Sequence, residues 1–188
     1  SVFRQTGSRK ERRVISVGAL TPQKGFDLVI QSVGMIESTR RPALTIVSNA
    51  VNSMEEVYLQ ELANRLSVQV DFYVGICDKT LVEFYNLSLL TIYLPLMEPF
   101  GFVPLESMAC GTPVLGVNEA GVRETVVHEV TGLLVDRNVS DIGRAIIQLM
   151  EEPNRLAAMG SRGRAYVDSQ WSWDRSVKAI ESCLTKAT

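Results

Sequence analysis

The stretch PLMEPFGFVPLESMACGTPVLGVNEAG, residues 95–121, decides how the chain reads. An apolar run from Leu89 to Leu94 precedes it and predicts a buried strand. A second run, Pro113 to Val117, predicts another. Between them a helix is expected to start near Phe102. Pro104 suits its first turn, where a missing N–H costs nothing, and Gly111 followed by Pro113 marks its stop. The unit is therefore strand, loop, short helix, strand.

The loop carries the chemistry. Glu98 stands before Pro99, Phe100 and Gly101, at the mouth of the helix. Gly101 allows close approach of backbone to a ligand. The amides of Gly101, Phe102 and Val103 lack acceptors inside the helix and lie at the positive end of its dipole, which makes an anion site. Glu106 lies roughly one turn further on. Two carboxylates around an anion-binding backbone suit a ligand with both hydroxyls and phosphates, and a nucleotide-sugar is such a ligand. Taken singly, Glu98 reads as a helix cap and Glu106 as a solvated face residue. The whole string reads otherwise.

Upstream, Val14 to Val17 predicts a first strand of β-branched type. A loop from Gly18 through Ala19 to Gly25 follows, then a helical stripe of Phe26, Leu28, Val29, Ile30 and Val33. Glycine after a first strand, then a loop feeding a helix, is phosphate-binding geometry in general terms. Lys24 is the cation within reach of that loop; a lysine in a first helical turn is disfavoured by the dipole, which argues for another use. Leu44 to Ser48 predicts a second strand, with Asn52 or Ser53 capping a helix whose apolar side is Tyr58, Leu59, Leu62 and Leu66. Val68 to Val74 predicts a third strand ending at Gly75, and Asp78 caps a helix through Asn86. Gly132 to Val135 is a last short strand. Three helices are expected after it: one on Ile142, Ala145, Ile146 and Leu149, one from Leu156 to Tyr166 broken at Gly160 or Gly163, and one from Trp171 to Leu184 with Trp173 as a core anchor.

Strands alternating with helices predict an α/β fold: a Rossmann-like, doubly wound parallel sheet with helices on both faces. On such sheets ligands bind outside the carboxyl ends of the strands. The loops after the first, third and fourth strands lie on that edge by topology alone.

Bulk properties narrow the function. The chain has 188 residues, one domain of ordinary size, and 46% hydrophobic residues suffice for a packed core. Nineteen basic and 21 acidic residues give a net charge of −2, so nucleic acid is not expected as a partner. No apolar run is long enough to cross a bilayer, and the N-terminus shows no signal-peptide pattern. Cys77, Cys110 and Cys183 lack metal or CxxC spacing and read as reduced residues of a cytoplasmic protein. The single His128 cannot build a histidine metal site and reads as a loop residue. Residues 1–13 are polar and basic and read as a linker or chain edge, leaving 14–188 as the domain.

The string from Glu98 to Glu106 resembles the E-x7-E motif of the retaining glycosyltransferases of family 4, which have the GT-B fold. The similarity continues through Ser107 to Val114, Ala120 to Glu124 and Thr131 to Val135, and covers nearly all of the chain after Arg13. A run this long is far more specific than a lone glycine motif. The resemblance implies the C-terminal, donor-binding half of such an enzyme, packed against an N-terminal acceptor domain that this chain does not supply. It implies that Glu106 holds the ribose hydroxyls of a nucleoside-diphosphate sugar, and that Glu98 contacts the donor sugar near the reacting carbon. Pro99 and Phe100 are counted among the donor-binding residues; the amides from Gly101 to Val103 bind sugar or phosphate. Lys24 neutralises the departing diphosphate, Gly18 and Ala19 lie beside it, and Ile76 meets the base through its backbone. Glu98 and Lys24 are thus the candidate catalytic residues. No metal or other cofactor is implied, and the acceptor (lipid, glycan or small molecule) is left open. Cytoplasmic location is implied, with peripheral membrane association of the longer protein.

Three departures stand out. Ala19 occupies a position where the family commonly has arginine beside the diphosphate. Thr45 to Asn49 replaces a glycine-rich strand end. Ala120-Gly121 replaces Gly-Gly. The first of these motivates an alternative, a non-catalytic nucleotide-sugar-binding or interaction module of the same fold. A nicotinamide-dependent oxidoreductase ranks well below both. It requires G-x-G-x-x-G after Val17 and an acidic end to the second strand, where Ser48-Asn49 stands.

Overall fold

A computed structural model describes residues 2–50, 52–171, 175, 177–178, 181–182 and 185. The expected terminal helix to Leu184, Trp173 and Cys183 lie wholly or largely outside the described residues.

Six strands form one sheet: β1 Glu11–Val17, β2 Ala43–Ser48, β3 Val70–Val74, β4 Ser88–Tyr93, β5 Val114–Val117 and β6 Gly132–Val135. Every pairing is parallel, in the spatial order β3-β2-β1-β4-β5-β6. The chain winds outward from β1 to β3, then returns to the centre at β4 and winds the other way. The order therefore reverses between β1 and β4, and such a reversal opens a crevice above the strand ends.

Up to Trp171, seven α-helices cover the sheet: α1 Phe26–Gly34, α2 Ser53–Arg65, α3 Asp78–Leu87, α4 Phe102–Ala109, α5 Val122–Thr125, α6 Val139–Glu151 and α7 Pro153–Gln170. Alternation along β1 divides the core. Val14 joins a large cluster with Phe26, Ile30, Leu59 and Ile146, whereas Ile15 and Val17 join a smaller one with Val82, Tyr85 and Cys110. Each fully buried aliphatic or phenylalanine side chain contributes about 1.5–3 kcal/mol relative to exposure. Helix starts follow cap chemistry. Asn52, not Ser53, caps α2 by accepting from the Glu55 amide at 3.3 Å, and Asn138 caps α6 by accepting from Ser140 at 2.9 Å and Asp141 at 3.2 Å.

Several boundaries differ from the sequence expectation. Strand β1 begins at Glu11, and the residues before it are docked rather than free. Phe3 packs edge-on against Tyr85 at 6.1 Å, the Thr6 amide donates to Asn86 Oδ1 at 2.8 Å, and Lys10 Nζ donates to Ser88 O at 2.8 Å and Thr112 Oγ1 at 2.6 Å. These anchors are polar and scattered, so no apolar period announces them. Helix α3 is entered through Cys77; Asp78 is its first residue, not its cap. Tyr58 lies on the exposed side of α2, where Leu59, Leu62 and Ala63 make the buried face. Helix α7 runs unbroken through Gly160 and Gly163. A Cβ on Gly160 would lie 2.3 Å from the Gly111 carbonyl oxygen, so that glycine serves close packing against the turn after α4. No helix among the described residues is long and apolar enough to cross a membrane.

Candidate functional site

The crevice at the β1/β4 reversal is a cleft of about 410 Å³. The loop after β1 supplies Gly18, Ala19 and Lys24; the end of β2 supplies Val47, Ser48 and Asn49. Ile76, Asp78 and Leu81 come from the β3–α3 turn, and Tyr93, Glu98, Phe102, Val103 and Glu106 from the β4–α4 unit. Thus Lys24, Glu98 and Glu106, separated by up to 82 positions in sequence, share one cavity. Pro99, Phe100 and Gly101 do not line it. Gly101 is the buried N-cap of α4 at φ 93°, and Phe100 packs against Phe102 at 4.8 Å and Trp171 at 5.3 Å. They set the loop's course and leave the lining to their neighbours.

The two loops that meet at the reversal are stitched together by backbone. The Leu96 amide donates to Gln23 O at 2.7 Å. Gly25, at φ 68°, sits where a Cβ would be 2.3 Å from Leu94 O, so only glycine lets these loops approach. Beneath them Arg137 bridges to the next loop. Its Nη1 donates to Leu94 O at 2.9 Å and its Nη2 to Pro95 O, while Nε and Nη2 grip Glu119 at 3.0 and 2.9 Å. The Arg137 hydrogen bond holds the Glu119 carboxyl below its usual range. The Gly121 amide donates to Glu98 O at 2.9 Å, and a Cβ on Gly121 would meet Phe100 Cα and Pro99 O at 2.5 Å. Gly121 therefore holds the Glu98 carbonyl, and Arg137 holds the chain three and four residues before it.

Within the cleft, Lys24 Nζ pairs with Glu98 Oε2 at 2.6 Å, their side chains 24% and 19% exposed. Gly18 lies beneath the lysine stem, where a Cβ would stand 3.2 Å from its Cγ and Cδ. Tyr85 Oη donates to Glu106 Oε2 at 3.1 Å. Burial pushes the Glu106 carboxyl above its ordinary pKa; Tyr85 offsets part of this and Asp78 adds to it. Burial also raises the Tyr93 phenol, and the Glu98 carboxylate adds to the shift. Helix α4 has no side-chain cap, so its first amides face the cleft end with their dipole unneutralised. Among the described residues lining the cleft there are three carboxylates and one cation, Lys24. The surface presents acceptors for hydroxyls and an amide cluster with a lysine for an anion.

Sequence reasoning passed over Tyr85, Tyr93, Arg137 and Glu119, and gave Ser48 no role. Ser48 Oγ orders the turn after β2 by accepting from Leu20 N at 3.2 Å and Ala50 N at 3.3 Å. An Arg two residues past one strand, with a Glu two residues past the preceding strand, was the available signal for the Arg137–Glu119 pair. His128 lies outside the cleft and its Nδ1 accepts from the Leu134 amide at 3.0 Å, a loop contact.

Comparison with known proteins gives this geometry a context. Residues 2–166 match the family described as Glycosyl transferases group 1. A D-inositol 3-phosphate glycosyltransferase of Gordonia bronchialis is 31% identical over 189 residues, covering 95% of this chain and 41% of the relative. A GDP-mannose-dependent alpha-(1-6)-phosphatidylinositol monomannoside mannosyltransferase of Mycobacterium tuberculosis is 31% identical over 172 residues, covering 86% and 44%. The chain thus spans about four-tenths of the length of these curated relatives. Among solved structures, Anabaena HepE in complex with UDP and glucose superposes with a TM-score of 0.87 at 20% identity, covering 98% of this chain and 54% of that one.

Proposed function

The chain belongs to the glycosyl transferases group 1 family, and we propose that it is the C-terminal, donor-binding half of a retaining family 4 enzyme. The observation that carries this reading is the meeting of Lys24, Glu98, Glu106 and the uncapped N-terminus of α4 in one cleft at the strand-order reversal. The donor is a nucleoside-diphosphate sugar, as the UDP complex of HepE and the GDP-mannose dependence of the mycobacterial relative suggest.

In this reading Glu106 accepts hydrogen bonds from the ribose hydroxyls, and the backbone at Ile76 flanks the base. The amides of Phe102 and Val103 and the Lys24 ammonium meet the diphosphate. Glu98 accepts from hydroxyls of the sugar. Its pairing with Lys24 at 2.6 Å sets the two groups side by side in the cleft. Breaking the sugar–phosphate bond leaves both bonding electrons on the diphosphate, and the cation and amides stabilise that growing negative charge. The incoming hydroxyl bonds to the sugar carbon on the same face that the diphosphate leaves, and its proton passes to an oxygen of the departing diphosphate. The acceptor and the groups that bind it belong to the remaining part of the longer protein, which is proposed to close over the same edge of the sheet. Location in the cytoplasm, with peripheral membrane association, belongs to the same proposal.

Calorimetric titration of the chain with UDP and GDP tests the reading. One of the two binds, and Glu106→Ala weakens it about tenfold or more, the loss expected for a hydrogen bond to a charged group. Binding of neither nucleotide, or undiminished binding by Glu106→Ala, contradicts it.

A further inference from the structure

Glu106 is tied to a residue whose role in the cleft the motif does not announce. Tyr85 leaves α3 fully buried, packed edge-on against Phe3 and enclosed by Ile15, Val17, Val82 and Cys110. Its hydroxyl donates to Glu106 Oε2 at 3.1 Å. Among the described residues, that is the only hydrogen bond of the Tyr85 hydroxyl, and Glu106 Oε1 accepts none. A glutamate on a helix surface samples many rotamers, and ordering it on binding weakens association. Here a rigid phenol, itself locked in the core, holds one carboxylate oxygen in place before any ligand arrives.

We infer that Tyr85 is a positioning residue that sets the cleft's preference for a ribonucleotide over its 2′-deoxy counterpart, by fixing the Glu106 carboxylate as a preformed acceptor for a vicinal diol. The inference rests on the donor-binding reading above. A vicinal diol engages both oxygens of a fixed carboxylate. Tyr85 already pairs with Oε2, so with the 2′-hydroxyl on Oε1 a 2′-deoxyribose leaves Oε1 desolvated and unpaired, and sites built for a hydroxyl reject ligands lacking it for that reason. A carboxylate free to turn re-pairs with water, and the discrimination fades.

The test is calorimetry on the chain with UDP, GDP and their 2′-deoxy forms, for the parent, Tyr85→Phe, Glu106→Ala and the double variant. The parent prefers the ribonucleotide by about tenfold or more, as a charged hydrogen bond allows. Tyr85→Phe lowers that preference to about threefold or less, with the 2′-deoxy affinity changed less than about twofold. In the Glu106→Ala background, Tyr85→Phe changes neither affinity. Phe3→Ala, which removes the ring packed edge-on against Tyr85, lowers the preference in the same direction and serves should Tyr85→Phe fail to fold. An equal loss for both nucleotides, an effect of Tyr85→Phe that persists without Glu106, or nucleotide binding by the parent without ribose preference overturns the inference while leaving donor binding standing. Absence of any nucleotide binding by the parent overturns the donor-binding reading, and this inference with it.

Discussion

Lys24 and Glu98 form a half-screened ion pair, and each is also assigned to a different part of the donor. Lys24→Ala removes the cation proposed to meet the diphosphate and leaves Glu98 without its ion-pair partner at 19% exposure. UDP or GDP affinity is expected to fall about ten- to a hundredfold, the range for charge-assisted hydrogen bonds of about 1.5–3 kcal/mol; unchanged affinity by calorimetry would remove Lys24 from the site. Glu106 makes a pH-dependent contribution of the opposite sign to the usual carboxylate. Burial raises its pKa above the ordinary 4.5. Such a group carries no penalty below its unfolded pKa and is penalised as pH rises through its folded one. Glu106→Gln is therefore expected to stabilise the fold at neutral pH and to make no difference well below pH 4.5, by urea unfolding at the two pH values. Ala120 shows a different strain. It stands at φ 40°, a left-handed conformation that costs an L-residue about 1–2 kcal/mol, against the roughly 0.5–1 kcal/mol entropic cost of glycine. Ala120→Gly should stabilise by about 0.5–1 kcal/mol, read as a raised melting temperature. The departure from Gly-Gly noted in the sequence thus has a conformational cost at this position.

At the scale of elements, the β4–α4 loop is shaped by what surrounds it. Arg137 holds Leu94 and Pro95 by their carbonyls, and Gly121 holds Glu98 by its own. Gly121→Ala places a methyl 2.5 Å from Phe100 Cα and Pro99 O, where backbone has no room to yield cheaply. It should cost about 1–3 kcal/mol of stability and weaken nucleotide binding as well, since Glu98 and the α4 amides move with the loop. Loss of stability with unaltered nucleotide affinity, by melting and titration together, would show that the loop's course does not govern the site. The E-x7-E string was legible because its residues are contiguous and its helix signals local. Its geometry was not, because Glu98 O is held by Gly121 and the loop before it by Arg137, beyond the string and on other elements. Residues 11–13, read as linker, pair in β1 because strand partners are long-range and leave no mark on a short polar run. Gly160 and Gly163, read as helix breakers, are tolerated because α7 packs so closely that a side chain at Gly160 would strike backbone.

At the scale of the molecule, the parallel order β3-β2-β1-β4-β5-β6 places the reversal where the two key loops emerge. The chain covers 41% of its Gordonia relative, and in the proposed function the rest of the site comes from outside it. The chain alone is expected to bind a nucleoside diphosphate while transferring sugar from UDP-glucose or GDP-mannose slowly or not at all. A protein that joins this chain to the proposed acceptor half should transfer at ordinary enzyme rates, of order 1–1,000 per second. Product formation by the chain alone at such rates would contradict a site completed from outside.

The sequence by itself determined the alternation of strands and helices, the helix that starts at Phe102 and the identity of Lys24, Glu98 and Glu106 as the residues to watch. All of these follow from local periodicity, cap chemistry and a contiguous motif, which require no knowledge of what lies across space. Only the tertiary structure decided that Lys24 grips Glu98, that Tyr85 holds Glu106 and that Arg137 and Gly121 set the loop, because hydrogen bonds between distant segments depend on distances that come into being when the strands line up.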